Sequence, residues 1–357
     1  MKILAVSGHS GGHIFPALGF LDALKDRNKD IGTLLVLPKK NAAGLAESRK
    51  HKMNFISISN FRPGPGAIPA VFNFFRGSIE SLSILIKFKP DAVVGFGSIA
   101  SVPMVFIAHL FKIKTMIHEQ NVVPGRATRF LAGFTDKVAV SFEGTRQYLK
   151  RNEDKVVFTG NPLRPGLARI DKNKALDFFG FKSGRFTILV MGGSQSSRAV
   201  NAGFLSATAG IPDKTGLQVI HLCGNKDREF LENGYRELKV DFRLFEFLQQ
   251  MEYAYSACDL AVSRAGATAI AEMIHFALPA ILIPYPLAYG HQKANAGILE
   301  EMGSAIVIEE NRLGSGELGG RIGDLIHNQP ELERMRSSYA RFPGHDARVL
   351  LIEAALN

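Results

Sequence analysis

SRAGATAIAEMIHFALPAILIPYPLAYGHQKAN, residues Ser263–Asn295, holds a strand end, a helix, a second strand and the start of a second helix. A small-residue turn, Arg264-Ala265-Gly266-Ala267-Thr268, opens an amphipathic helix that carries Glu272 in its second turn. A buried apolar strand follows, Ala280 to Ile283, and Pro284-Tyr285-Pro286 stops it. The polar run His291-Gln292-Lys293-Ala294-Asn295 then enters the next helix. A helix begun by Gly, Ala and Thr offers backbone N–H groups beside a positive dipole end, which suits a phosphate. A carboxylate one turn further in can accept from a ribose diol. Gln and Asn at the following helix start can read sugar hydroxyls. The stretch therefore predicts a parallel α/β unit with a sugar-nucleotide pocket at its strand ends.

The same alternation runs outward in both directions. Strand candidates before it are Ile3–Val6, Thr33–Leu37, Phe55–Ile58, Ala92–Val94, Thr115–Ile117, Val138–Val140 and Val156–Phe158. The pattern breaks at Gly160-Asn161-Pro162-Leu163-Arg164-Pro165-Gly166 and restarts with Thr187–Met191, Val219–Leu222, Phe242–Phe245, Leu260–Val262, Ile281–Ile283 and Ala305–Ile308. Continuous apolar strands separated by helical patterns indicate parallel sheets covered on both faces. The expectation is an α/β protein of two Rossmann-like, doubly wound domains, 1–163 and 164–340, facing across a cleft. An amphipathic helix near Asp346–Ala355, within 341–357, is expected to complete the first domain.

Size and composition agree with two ordinary domains. The chain has 357 residues, 46% of them hydrophobic. Two cysteines, Cys223 and Cys258, are too few for a disulfide framework and read as buried thiols. The start, MKILAVSGHSGGH, reads as a first strand rather than a signal peptide, and no apolar run reaches the roughly 18–20 residues of a membrane span. A cytoplasmic protein is expected. The charge is lopsided: residues 1–165 hold 23 Lys/Arg against 11 Asp/Glu, residues 166–357 hold 20 against 22. The first half should meet something anionic, whether nucleic acid, an acidic membrane surface or a pyrophosphate. Residues 67–89 mix Phe72, Phe74, Phe75, Leu82, Ile84, Leu85 and Ile86 with Arg76, Lys87 and Lys89, which fits a helix lying on an anionic bilayer as well as a half-buried one.

Three glycine-rich turns follow strands: Ser7–His13, Gly95-Phe96-Gly97-Ser98 and Gly192-Gly193-Ser194-Gln195. Glycine lets the backbone approach a bulky anion and tolerates positive φ. The first turn, GHSGGH, is not the G-x-G-x-x-G of a nicotinamide site, and no Walker loop occurs. His13, at the entry to the first helix, is suited to take a proton from a sugar hydroxyl. His118-Glu119-Gln120-Asn121 lies at another strand end, with Glu119 as an alternative base or an orienting group. No carboxylate or Cys/His metal motif stands near these turns, so neither a metal nor another cofactor is expected.

Together these motifs resemble the MurG family of bacterial N-acetylglucosaminyltransferases. The shared pattern includes SGGHIFPA (Ser10–Ala17), HEQN followed by Pro124-Gly125, TGNPLR (Thr159–Arg164), GGSQ, RAGA, Glu272, LPAILIPYP (Leu278–Pro286), Gln292 and Asn295. The resemblance implies the GT-B fold and an inverting transfer of GlcNAc from UDP-GlcNAc to the muramyl 4-hydroxyl of undecaprenyl-pyrophosphoryl-muramyl-pentapeptide (lipid I), giving lipid II. It implies donor contacts from Ser10, Gly11, Gly12, Asn121, Arg164, Gly193, Ser194, Phe247, Leu248, Arg264, Gly266, Ala267, Thr268, Glu272, Gln292 and Asn295. Acceptor contacts would come from Gly11, Gly12, Gly97 and Ser98, with His13 or Glu119 as base. It further implies a peripheral enzyme on the cytoplasmic face of the cell membrane, with no nucleic-acid partner. This chain departs from the family pattern at GHSGGH for GGTGGH, at Gly97-Ser98-Ile99 for Gly-Gly-Tyr, at Ser196-Ser197 after GGSQ for Gly-Ala, and at Gly290 before His291, where an acid is common. The rival readings are another UDP-sugar-using GT-B enzyme, such as a lipid glycosyltransferase or a UDP-GlcNAc epimerase, and a non-catalytic basic binding protein.

Overall fold

A computed structural model describes residues 1–39, 50–59, 67–193, 196–287, 290–342, 344 and 346–357, with the side chain of residue 67 left aside. The chain divides into two compact units, Met1–Pro165 with His345–Asn357, and Gly166–Gly344.

The first unit is built on seven strands: β1 (Lys2–Ser7), β2 (Gly32–Pro38), β3 (Met53–Ile56), β4 (Ala92–Phe96), β5 (Lys114–Glu119), β6 (Lys137–Val140) and β7 (Val156–Phe158). They run in the order β3-β2-β1-β4-β5-β6-β7, every pair parallel. The central strand shows why the apolar run is unbroken. Ile3 and Ala5 point to one face, where helix Gly11–Arg27 and the terminal helix Ala347–Leu356 supply Leu18, Phe20, Leu351 and Ile352. Leu4 and Val6 point to the other, against Ile84, Met104 and Val105. A strand buried on both sides needs no polar alternation. The third strand lies two residues earlier than the expected Phe55–Ile58, because pairing with β2 places Met53 opposite Leu35 and ends at Ile56 opposite Pro38.

Helix Ala67–Phe88 is apolar on two sides. Ala70, Ile84 and Leu85 are buried, and a Cβ on Gly77 would lie 2.6 Å from the Ser57 carbonyl oxygen, so the helix sits tight on the sheet. A second stripe faces outward: Ile68, Phe72, Phe75 and Ile79 are 79%, 67%, 65% and 70% exposed, and Ile86 continues the line. Leu110, Phe111 and Phe130, on or beside the next two helices, are exposed as well.

The second unit carries β8 (Phe186–Met191), β9 (Leu217–Leu222), β10 (Asp241–Phe245), β11 (Leu260–Ser263), β12 (Ala280–Leu282) and β13 (Ala305–Val307). Their order is β10-β9-β8-β11-β12-β13, again all parallel. Ile188, Val190, Phe204, Val219, Val262, Ile281 and Ile322 form the core. Each sheet reverses its winding once, between β1 and β4 and between β8 and β11. Crevices at the carboxyl ends of the strands flanking such a reversal are where doubly wound sheets bind ligands.

Candidate functional site

At the first reversal two glycine turns hold one imidazole. His13 is the third residue of helix Gly11–Arg27, and its backbone N–H donates to the Ser10 carbonyl at 3.0 Å. A Cβ on Gly97 would lie 3.0 Å from both Nδ1 and Cε1 of the ring, and a Cβ on Gly8 would lie 3.1 Å from Cδ2. Gly97 also has φ of +73°, so it is glycine for space and for backbone. The neighbouring Ser98 has φ of +66°, a left-handed conformation at a position where the resembling family carries glycine. His13 Nδ1 lies 3.0 Å from Gln120 Oε1, and the Phe96 main chain is a second hydrogen-bond partner of the ring. Burial lowers the pKa of His13 below its usual 6.5. The Gln120 hydrogen bond, the Glu119 charge and the Phe96 main-chain hydrogen bond pull upward without cancelling that, and His9 adds to the lowering. The ring is neutral at pH 7.

Glu119 ends β5 and is buried. Its Oε1 accepts from the Asn121 backbone N–H at 3.0 Å and from Asn121 Nδ2 at 3.1 Å, and its Oε2 accepts from Gly125 N–H at 3.0 Å. The carboxylate thus ties down the turn before helix Arg126–Leu131. Ser10, Gly11, Gly12, Gly97, Ser98 and Asn121 all lie on the same strand-end edge as His13. Arg164 stacks its guanidinium 4.3 Å from the Phe15 ring of the first helix.

At the second reversal the expected residues again share one edge. Gly193 follows β8 with φ of +90°. A Cβ on Gly192 would lie 2.6 Å from the Ser197 nitrogen, which no larger residue permits. Ser194 lies outside the described residues. Gly266 caps helix Ala267–Phe276 without a side chain, so backbone groups alone form that helix start, with Ala267 and Thr268 in its first turn. Arg264 is buried and fully engaged. Nη1 donates to the Ile283 and Pro284 carbonyls at 3.1 and 3.4 Å, and Nη2 donates to Ser197 Oγ at 2.7 Å and to the Glu310 carboxylate. It fixes the end of β12 against the glycine turn. Glu272 is buried, and its Oε2 accepts from the Tyr255 hydroxyl at 2.6 Å. Asn295 donates from Nδ2 to the Ala265 carbonyl at 3.1 Å, and Gln292 Oε1 accepts from Tyr285 N–H at 2.9 Å. Beyond β10, Leu248 is buried while Phe247 is 63% exposed.

Several partners were invisible in the sequence. Tyr255, Ser197 and Glu310 reach the site residues only through the fold. Ser197 stands where the resembling family has Ala, and its hydroxyl is what meets Arg264. Ser196, at φ of +60°, donates to the Cys223 carbonyl and accepts from Asn201 Nδ2 at 3.2 Å, which offsets its left-handed backbone. A cavity of about 360 Å³ opens at the opposite edge of the first sheet, beside Ala92, Lys114, Thr115 and Lys137, and none of the expected site residues lines it.

Comparison with known proteins fits this geometry. The model of the glycosyltransferase family 28 N-terminal domain matches residues 3–140, and that of the C-terminal domain matches residues 187–349. A Halothermothrix orenii protein named UDP-N-acetylglucosamine–N-acetylmuramyl-(pentapeptide) pyrophosphoryl-undecaprenol N-acetylglucosamine transferase is 34% identical over 365 residues, covering 99% of this chain and 97% of its own. The Listeria monocytogenes (serotype 4a) protein of the same name is also 34% identical, covering 100% and 99%. Among solved structures, Acinetobacter baumannii MurG superposes with a TM-score of 0.76 at 23% identity, over 99% of both chains, which gives the GT-B architecture. By its two domain matches and its full-length relatives, the chain belongs to glycosyltransferase family 28, among the N-acetylglucosamine transferases of the MurG type.

Proposed function

We infer that the chain transfers GlcNAc from UDP-GlcNAc to the muramyl 4-hydroxyl of lipid I, releasing UDP and forming lipid II. The observation that carries this reading is the match along the whole chain to enzymes named for that transfer. The reaction is a single displacement. The 4-hydroxyl oxygen bonds to the anomeric carbon, the bond from that carbon to the UDP oxygen breaks, and the hydroxyl proton passes to a base. His13 is that base: burial favours its neutral form, and it stands at the strand-end edge between the two glycine turns. Glu119 fits the role poorly, because three donors already occupy its oxygens. Gly11, Gly12, Gly97 and Ser98 bind the acceptor pyrophosphate, and the second unit binds the donor. There, Glu272 accepts from the ribose, and the Gly193 turn and the Gly266–Thr268 helix start meet the diphosphate. Arg264 acts by holding that turn, and its positive charge lies behind the charge growing on the leaving UDP. Gln292 and Asn295 shape the GlcNAc site, Phe247 and Leu248 the uracil site. Ser10, Asn121, Arg164 and Ser194 complete the donor contacts. The reading needs no metal, and turnover in excess chelator is its check.

The outward stripe of helix Ala67–Phe88 supports peripheral attachment to the anionic cytoplasmic face of the cell membrane. An ordinary half-buried helix turns its apolar side inward, whereas this one shows apolar residues to solvent beside Arg76, Lys87 and Lys89. Among the described residues no helix is long and apolar enough to cross a membrane. The deciding experiment incubates the protein with UDP-GlcNAc and a lipid I analogue. UDP release together with a disaccharide product is expected. UDP release without that product, or epimerised UDP-sugar, overturns the reading.

A further inference from the structure

We propose that Gln120 and His118 are positioning residues that fix the tautomer of His13 through a one-way chain of hydrogen bonds, placing its lone pair on Nε2. The proposal rests on the reading of His13 as the base. It follows from which atoms can only accept. The Gly160 carbonyl lies 3.0 Å from His118 Nε2, so that nitrogen carries the proton. Ser141 Oγ stands 3.4 Å from the same nitrogen and spends its own proton on the Glu119 carbonyl at 3.0 Å, so it too can only accept there. His118 is buried and its pKa is pushed down to about 4, so the ring is neutral and Nδ1 is a lone pair. Gln120 Nε2 lies 3.0 Å from that lone pair and 3.1 Å from the His118 carbonyl. Both are acceptors, so the NH2 end of the amide must face them. The oxygen end then faces His13 at 3.0 Å, and His13 Nδ1 must be the protonated nitrogen. A neutral imidazole protonated on Nδ1 has only Nε2 with which to take a substrate proton.

The chain begins at a main-chain carbonyl after β7 and ends on the ring between the Gly8 and Gly97 turns. Each amide or imidazole in it donates at one end and accepts at the other, so one fixed end orients them all. Without the Gln120 oxygen the Nδ1 proton loses its side-chain acceptor. The Nε2–H form has no lone pair on Nε2 with which to take a hydroxyl proton. The titratable groups that bear on His13 are Glu119 and His9, with the neutral His118 behind Gln120.

The test compares the full-length wild type with His13→Ala, Gln120→Leu and Gln120→Glu. It measures kcat, the KM for UDP-GlcNAc, and long-range proton–nitrogen spectra of protein labelled with 15N-histidine. The wild-type spectrum should show opposite tautomers, Nδ1–H for His13 and Nε2–H for His118. Gln120→Leu should lower kcat by about tenfold or more, up to the ~100- to 10,000-fold attributed to a general base, and admit the Nε2–H form of His13. The KM should stay within about twofold, because ground-state binding is untouched. Gln120→Glu keeps an acceptor on Nδ1, so it should keep the tautomer. Its carboxylate favours the imidazolium and should move the acid limb of kcat to higher pH. An Nε2–H His13 in the wild type overturns the proposal, as does a Gln120→Leu variant with unchanged kcat and tautomer. A dead His13→Ala beside a normal Gln120→Leu removes only the positioning role, whereas a fully active His13→Ala removes the base reading itself. If Gln120→Leu does not fold, the wild-type tautomer pair still decides.

Discussion

The two sheets follow the same path, third strand, second, first, fourth, fifth, sixth, with one further strand in the first unit. What stands at the reversal differs. In the first unit it is an imidazole clamped by two glycines, with its Nδ1 held beside the Gln120 oxygen. In the second it is a glycine turn and a helix start, backed by Arg264 and Glu272, whose charges are already held by neighbours. One edge offers a proton acceptor, the other backbone donors. Topology fixes where a ligand binds, and the chemistry of a few residues fixes whether that edge takes a proton or holds an anion.

The sharpest way to break this contrast is His13→Ala. Turnover should fall about 100- to 10,000-fold, while UDP affinity, measured by calorimetry, stays put. The acid limb of wild-type kcat should lie below the ordinary histidine value of 6.5, because burial lowers the His13 pKa. Lost UDP binding in His13→Ala would put His13 among the donor contacts, and an acid limb above 6.5 would mean that burial does not hold the ring neutral.

A second expected effect compares the units by acid. His118 in the first unit and His221 in the second are buried neutral, with pKa values pushed down to about 4 and about 3. His221 is locked between the Tyr235 hydroxyl at 2.8 Å and Asn201 Oδ1 at 3.0 Å. Both folded-state values lie below the unfolded 6.5, so below that pH the unfolded chain binds more protons. Stability is full above about pH 6.5 and falls as the pH drops toward those values, by about 1.4 kcal/mol per pH unit for each group. Melting scans between pH 6.5 and 5, before most carboxylates protonate, should show this slope. A flat melting temperature across that window would mean that neither ring is held neutral by the fold.

How much of this the sequence disclosed depended on distance along the chain. All thirteen strand runs were legible, because a strand buried on both faces writes itself as consecutive apolar residues. The largest displacement is at β3, since Met53–Ile56 continues into Ser57-Ile58 without a breaker and pairing, not composition, ends it. Gly97 and Gly192 were legible as turns, although the reason each must be glycine, a ring or a backbone nitrogen within about 3 Å of a Cβ, is spatial. Glu272 was visible from its place behind a small-residue helix start. Tyr255, 17 residues away, and Ser197, 67 residues from Arg264, were not, because no periodicity links residues that meet only across strands. Gln120 was visible as part of a polar strand end, but its direction in the hydrogen-bond chain needed coordinates.

Glu272→Ala tests the donor edge directly. Losing a carboxylate that accepts from ribose should weaken UDP binding by roughly 1–3 kcal/mol, the range for hydrogen bonds to charged groups. The same variant should leave the His13 tautomer unchanged. Unchanged UDP affinity in a folded Glu272→Ala would move ribose recognition elsewhere on the edge.

The smallest effect separates what Glu272 does from what holds it. Tyr255 stacks on Phe276 at 5.0 Å with ring planes 20° apart, so its ring keeps its place without the hydroxyl. That hydroxyl donates to Glu272 Oε2 at 2.6 Å and sets the direction of the carboxylate. Tyr255→Phe removes one donor and no volume. UDP affinity should fall by about fivefold, near 1 kcal/mol, because the carboxylate must be reoriented on binding. The preference for UDP over 2′-deoxy-UDP should shrink in the same variant, since a carboxylate free to turn reads the ribose less strictly. A merely structural hydroxyl would lower the melting temperature and leave that preference intact. Unchanged affinity and unchanged preference would show that packing alone aims Glu272.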